Sequence, residues 1–217
     1  MAQVYPISVS AFFEGLNVMR ASFDLPANQM VTRSAGGDVM RAELGARLWR
    51  VQLELSSARH RDAEQIRAKL HLLRQPNASL LIRPKPCYAP AYDPTGSIIA
   101  SSTVLLASVN ANLRDITISG LPAAYAITAG DYLSFTYGTD PVRYGFHQAV
   151  SSATANGSGV TGAFEVIPPI RPGYAIGATV RLLRPWMKAV LVEGSTGSAG
   201  RAVTDGISLT LQQTLRG

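Results

Sequence analysis

From Trp49 to Leu55 the chain alternates strictly, with Trp49, Val51, Leu53 and Leu55 on one face of an extended segment and Arg50, Gln52 and Glu54 on the other. A strand with one dry face and one wet face satisfies that pattern, and burial of each large apolar side chain is worth about 1.5–3 kcal/mol. Just beyond Ser56 and Ser57 the period changes. Over Arg61 to Arg74, Ala63, Ile66, Leu70 and Leu73 recur at helical spacing, while Arg61, Glu64, Lys69 and Arg74 lie mostly off that stripe. The spacing predicts one amphipathic helix laid on a sheet. Trp49, Val51, Leu53, Leu55, Ile66, Leu70 and Leu73 are therefore the candidate core and assembly positions.

The rest of the chain carries short β signals and no second helical period. Gly130 to Gly173 is the clearest: Asp131 to Tyr137, Tyr144 to Val150 and Ala163 to Ile167 read as a three-stranded antiparallel meander, closed by Pro168 and Pro169, with a small-residue turn over Ala155 to Gly162. Strands are also expected at Val4 to Val9, Phe23 to Leu25, Leu80 to Arg83, Thr103 to Val109, Ile116 to Ser119, Ala178 to Leu183 and Lys188 to Glu193. Gly36 with Gly37, and Gly194 to Gly200, read as turns. At the end, Ile207, Leu209 and Leu211 alternate with Ser208, Thr210 and Gln212.

Pro84, Pro86, Pro90 and Pro94 can continue neither helix nor central strand, so a domain boundary is placed there. A lone terminal hairpin is marginal in water, which assigns the last strands to the first domain's sheet. The expected organisation is 1–90 with 186–217 as one β-domain carrying the helix, and 95–185 as an inserted β-barrel or sandwich. The fold class is mainly β with one helix. Pro90 to Ser97 and Gly194 to Gly200 are the expected first sites of proteolytic cleavage.

Hydrophobic residues make up 47% of the 217 and charged residues only 16%, which excludes a disordered chain and leaves a charge-poor surface suited to protein contacts. The net charge of +6 comes from scattered arginines, with Lys69, Lys85 and Lys188 the only lysines. Arginine favours interfaces and carboxylate pairing, so the scatter reads as solvated or interfacial and not as a nucleic-acid stripe. The single cysteine, Cys87, allows no intrachain disulfide, and no charged-then-apolar leader precedes Tyr5, so synthesis and folding in the cytosol are expected. Ile98 to Ala107 is broken by Ser101, Ser102 and Thr103 and falls short of the roughly 20 apolar residues a membrane span needs.

The motifs that could carry chemistry are weak. Gly157, Gly159 and Gly162 spell G-x-G-x-x-G, but a phosphate loop needs a helix N-terminus after it, and here a strand and two prolines follow. His60, His71 and His147 have no metal-ligand spacing with each other or with Cys87, and each reads as a surface or core-edge residue. No nucleophile elbow occurs. Asp131 and Glu165 could pair across neighbouring strands only by chance. The aromatics of Tyr132 to Tyr137 and Tyr144 to Phe146, near Arg143, suggest a stacking platform for single strands, yet no Lys or Arg lies between 115 and 142, so core packing is preferred. No catalytic, cofactor or metal residue is assigned, and the chain is read as a non-enzyme.

An ordered series of segments resembles the distal tail proteins and related tail-tip proteins of long-tailed bacteriophages. It runs LWRVQLEL (Leu48 to Leu55), RDAEQIRAKLHLLR, SLLIRPKP, AGDYLSF (Ala129 to Phe135), YGFHQAV (Tyr144 to Val150) and FEVIPPIRPGYAIGATVRLLRP (Phe164 to Pro185). The resemblance covers about 45–185, with His-Gln-Ala-Val in place of the family's tighter form. It implies a split β-barrel or sandwich domain with one helix and an inserted galectin-like or oligonucleotide-binding-like domain. It further implies a structural protein of the virion, without cofactor, that forms a hexameric ring joining tail tube to tip. The implied partners are further copies of itself, the tail tube protein, the tail hub or tip protein and the tape measure protein, with DNA only passing through the lumen. Two other readings stay open: a single-stranded nucleic-acid-binding barrel and a carbohydrate-binding accessory protein of the tail, the latter weakened because Trp49 and Trp186 lie outside the middle of the inserted domain.

Overall fold

A computed structural model describes residues 4–85, 88–201 and 203–216, so the expectations for Pro86 and Cys87 fall outside the described residues. The protein is mainly β, 42% strand, with a single α-helix among the described residues. In chain order the elements are β1 (Val18–Asp24), β2 (Gln29–Arg33), β3 (Val39–Glu43), β4 (Arg50–Leu55), β5 (Ala58–Arg59), α1 (His60–Leu73) and β6 (Leu80–Ile82). Then follow β7 (Leu105–Val109), β8 (Asp115–Ser119), β9 (Ala126–Ile127), β10 (Tyr132–Tyr137), β11 (Arg143–Ala149) and β12 (Ala153–Thr154). The last are β13 (Phe164–Ile167), β14 (Val180–Arg181), β15 (Met187–Ala199) and β16 (Val203–Gln213).

The chain forms two compact units. One comprises Met1–Gly15, Asn77–Ala189 and Leu215–Gly217, the other Leu16–Pro76 and Val190–Thr214. These cuts differ from the 90/95 and 185/186 boundaries drawn from the prolines: β6 and the first residues of β15 group with the larger unit, where Met187, Lys188 and Ala189 pair with Ile82, Leu81 and Leu80.

In the larger unit a six-stranded sheet runs β14-β10-β11-β13-β8-β7. The expected meander is its centre, with β10 antiparallel to β11 from Tyr132↔Gln148 to Tyr137↔Arg143, and β11 antiparallel to β13. The sheet curls until its ends meet. Leu105 bridges Thr179, Leu106 N–H donates to Ala178 O at 2.9 Å, and Val180 N–H donates to Val104 O at 2.8 Å, which nearly closes a barrel. Its interior holds Leu106, Ile116, Ile118, Ile127, Leu133, Phe135, Phe164 and Val166, all buried. Every residue of this core cluster lies between Ile99 and Leu182, within the span expected for the inserted domain.

The Pro-rich crossing is tied down. The buried Asp93 carboxylate accepts the N–H groups of Ser97, Ile98 and Ile99 at 3.1, 2.9 and 3.2 Å, and Asp131 accepts that of Ala91 at 2.8 Å. The strand expected over Val4 to Val9 does not form. Ile7 alone bridges Leu80, because Pro6 has no N–H to give and Ser8 turns the chain, its Oγ and its carbonyl both accepting Ala11 N–H.

In the smaller unit β1, β4, β16 and β15 lie side by side in that order, with β5 on β16. The alternating faces meet in register, Leu53 with Ala21 and Leu209, Val51 with Phe23 and Leu211. Helix α1 runs one residue earlier at each end than its spacing predicts and buries Ala63, Leu70 and Leu73. Asn77, at φ 66°, takes the left-handed turn beyond it.

The turn expected over Gly194 to Gly200 is instead strand: β15 continues to Ala199. Arg67 of the helix and Arg74 at its C-terminal cap hold it there. Arg67 donates Nε–H to Thr196 O at 2.8 Å and Nη2–H to Gly197 O at 3.2 Å, and Arg74 donates to Gly194 O at 2.8 Å. Gly197 sits at φ 69° with Asp205 O only 2.3 Å from where a Cβ would stand, so glycine marks a tight approach inside the hairpin.

Candidate functional site

The described residue pairs of β2 and β3 form a separate two-stranded sheet, joined to no other strand. Gln29 pairs Glu43 and Arg33 pairs Val39, and Ser34 to Asp38 close the turn through Gly37 at φ 89°. Nine of its ten strand residues are exposed. Register sorts the side chains: Met30, Met40, Ala42 and Thr32 share one side, while Val31, Val39, Arg33 and Arg41 share the other. Met30 and Met40 are 57% and 58% exposed.

This arm continues the β1/β4 ladder beyond its last pair, Asp24↔Arg50. Pro26 interrupts the ladder, and two bonds re-join the strands past the break: Leu44 N–H to Asn28 O at 2.9 Å and Arg47 Nη2–H to Leu25 O at 2.6 Å. A two-stranded hairpin with no buried face has little of its own to stabilise it. Met30, Met40 and Ala42 give one of its exposed sides an apolar character.

The sequence-derived positions are placed as follows. Trp49, Val51, Leu53, Leu55, Leu70 and Leu73 are buried, and Ile66 is half-buried. Trp49 is pinned to the last strand, its N–H donating to Gln213 Oε1 at 3.3 Å and its carbonyl accepting Gln213 N–H at 2.8 Å. These residues frame the sheet from which the arm projects. Of the arm only the turn at Gly36 and Gly37 gave a sequence signal, because periodicity identifies a strand through a buried face and this strand pair has none.

Gly157 to Gly162 is a hairpin tip, with Ala155 bridged to Thr161 and Gly159 at φ 73° against the Leu121 carbonyl. His60 Nδ1 lies 2.9 Å from Thr204 Oγ1, and His71 lies beside Arg74. His147 departs from the surface or core-edge placement expected of it. It is 3% exposed, stacks on Phe135 at 5.4 Å, and donates Nδ1–H to Pro168 O at 2.7 Å. Burial lowers its pKa from 6.5 to about 4, with Arg171 adding to the effect and the Pro168 bond opposing it.

Asp131 accepts Thr128 N–H as well as Ala91 N–H, and Glu165 stands opposite Asp115, so the notional Asp131/Glu165 pair is replaced by backbone capping. Among the described residues no group of three or more His, Cys, Asp and Glu is placed to hold a metal ion. Also among them, no helix is long and apolar enough to cross a membrane.

The aromatics divide between the two faces of β10 and β11. Phe135 and Tyr137 enter the barrel core, while Tyr132 stacks on the buried Phe146 at 5.2 Å. Trp186, distant in sequence, joins that outer face: its N–H donates to Ser134 Oγ, its ring lies 5.1 Å from Tyr144, and Arg181 sits 5.3 Å above it. Sequence order hid this cluster, since Trp186 follows β14 and reaches β10 only through the fold.

No family model matches the chain, and no curated protein matches it in sequence.

Proposed function

We propose that the chain is a structural subunit of the tail tip of a long-tailed bacteriophage, forming a ring that connects the tail tube to the hub. The observation that carries this reading is the β2–β3 arm, an apolar-sided hairpin that nothing else in its unit covers. It is rooted between β1 and the Leu48 to Leu55 strand, the first segment of the resemblance. A ring requires each copy to offer one surface to the next, and a projecting arm is such a surface. The charge-poor, arginine-weighted surface suits the same role. The partners on this reading are further copies of the chain, then the tube and hub proteins above and below the ring, with the tape measure protein and DNA in the lumen. No catalytic step is assigned.

Sedimentation and electron microscopy of the purified chain, with density for it located in assembled tails, test the proposal. Closed rings at the tube-to-hub junction are the expected result. Copies dispersed as monomers, both alone and in the particle, would overturn it.

A further inference from the structure

At the far end of the β1/β4 ladder from the arm lies an open groove of about 520 Å³, lined by Met19, Glu54, Leu55, Asp205, Gly206 and Ile207 among others. Its character complements the arm. Met19 is 63% exposed at its lip, and Val31 and Val39 on the arginine-bearing side of the arm are 54% and 49% exposed. Its two carboxylates are Glu54, which makes only a loose 3.9 Å ion pair with Arg20, and Asp205, which has no ion pair among the described residues. Arg33 and Arg41 of the arm likewise have none. The groove opens at β1, the strand that ends the sheet and pairs on one side only.

Position decides what can fill it. The arm leaves the ladder at Asp24↔Arg50, and the groove lies at Val18↔Leu55, the opposite end of β1. Seven strand residues separate the two ends by about 20 Å. The arm of one chain is rooted at the wrong end to enter its own groove, whereas the arm of a second copy reaches it head to tail. Such a contact uses two different patches, so it repeats from copy to copy and closes into a ring when the rotation closes.

From this we infer that the β2–β3 arm of each copy docks in the Met19/Glu54/Asp205 groove of the next, with Arg33 and Arg41 facing the two carboxylates and Val31 and Val39, on the same side of the arm, facing Met19. The inference rests on the ring reading and names the surfaces that would build the ring.

The test is a charge exchange. One variant carries Arg33→Glu and Arg41→Glu, a second carries Glu54→Arg and Asp205→Arg, and a third carries all four. All four positions are on exposed strand or groove surfaces, so circular dichroism and melting should match the wild type. By sedimentation, each double variant alone should be monomeric, because arm and groove then bear like charge. An equimolar mixture of the two should re-form rings of alternating copies, and the fourfold variant should form rings by itself. Wild-type rings that survive either double variant would overturn this contact and leave the ring reading standing. Loss without recovery in both the mixture and the fourfold variant would overturn it as well. A wild type that forms no ring, in solution or in the particle, would remove both.

Discussion

Leu121 N–H donates to Gly159 O at 3.1 Å, and a Cβ added to Gly159 would stand 2.2 Å from the Leu121 carbonyl oxygen. Two backbones approach there more closely than any side chain permits, at a φ of 73° that L-residues avoid. Gly157 and Gly162 have nothing within 4 Å of that position and ordinary φ. Gly159→Ala should therefore cost roughly 2–4 kcal/mol in urea unfolding, while Gly157→Ala and Gly162→Ala stay within about 0.5 kcal/mol. A phosphate-cradling loop would need all three glycines, so equal losses at the three positions would reopen that reading.

The buried imidazole of His147 makes stability depend on acid. Its folded pKa of about 4 lies below the 6.5 of an unperturbed histidine, so the unfolded chain takes up the proton first. Its contribution is fully present above pH 6.5 and is lost as pH falls from there toward 4, about 3 kcal/mol in total. His147→Gln should flatten that part of the profile, since glutamine does not titrate and can still donate to Pro168 O. Matching slopes for wild type and variant between pH 6.5 and 4 would contradict the assignment.

Asp93 organises the crossing from Pro90 to Ile99 with three amide bonds from a buried carboxylate. Asp93→Ala strands those N–H groups and should cost about 2–4 kcal/mol, with Asp93→Asn intermediate because one acceptor oxygen survives. Limited proteolysis is the sharper readout. Because Asp93 holds the crossing, the wild type should resist cleavage at Pro90 to Ser97, in place of the early cut expected from the prolines, and the alanine variant should be cut there first.

Arg67 reaches two successive carbonyls with one planar fork. Arg67→Lys keeps the charge but supplies a point donor, so it should lower the unfolding free energy by about 1–2 kcal/mol. Amide exchange in β15 around Gly197 should rise in parallel. Unchanged exchange there would mean that the hairpin holds itself.

Val31→Ser with Val39→Ser tests the apolar part of the docking side of the arm. Both side chains are about half exposed, so the variant should melt within a few degrees of the wild type. Self-association should nonetheless weaken. A large drop in melting temperature would show that the arm packs within its own chain.

What the sequence revealed follows from which patterns burial writes into it. The Trp49 to Leu55 strand, the helix and the β10–β11–β13 meander were legible because each hides one face and shows the other. The arm's two strands were not, since QMVTR and VMRAE are exposed on both sides. His147 was misplaced for a related reason. Gly145, His147 and Ala149 share the barrel-facing side with Phe135 and Leu133 opposite, but a glycine, a histidine and an alanine do not announce an inner face. The Arg67 fork depends on Gly197 being bent toward Asp205, a long-range event that no local spacing encodes. The groove at Met19, Glu54 and Asp205 is assembled from β1, β4 and β16 and exists only once they are paired.

The near-closure of the curled sheet has a consequence for crowding. Where Thr179 and Val180 cover the outer side of β7, the row of amides that an open sheet would present is spent within the chain. On the ring reading, copies of that barrel are held at millimolar local concentration, a setting in which unpaired strand edges zip together in the wrong register. A barrel without a seam at that point gives its neighbours nothing to pair with, so on that reading cohesion falls to the arm and assembly keeps a single direction.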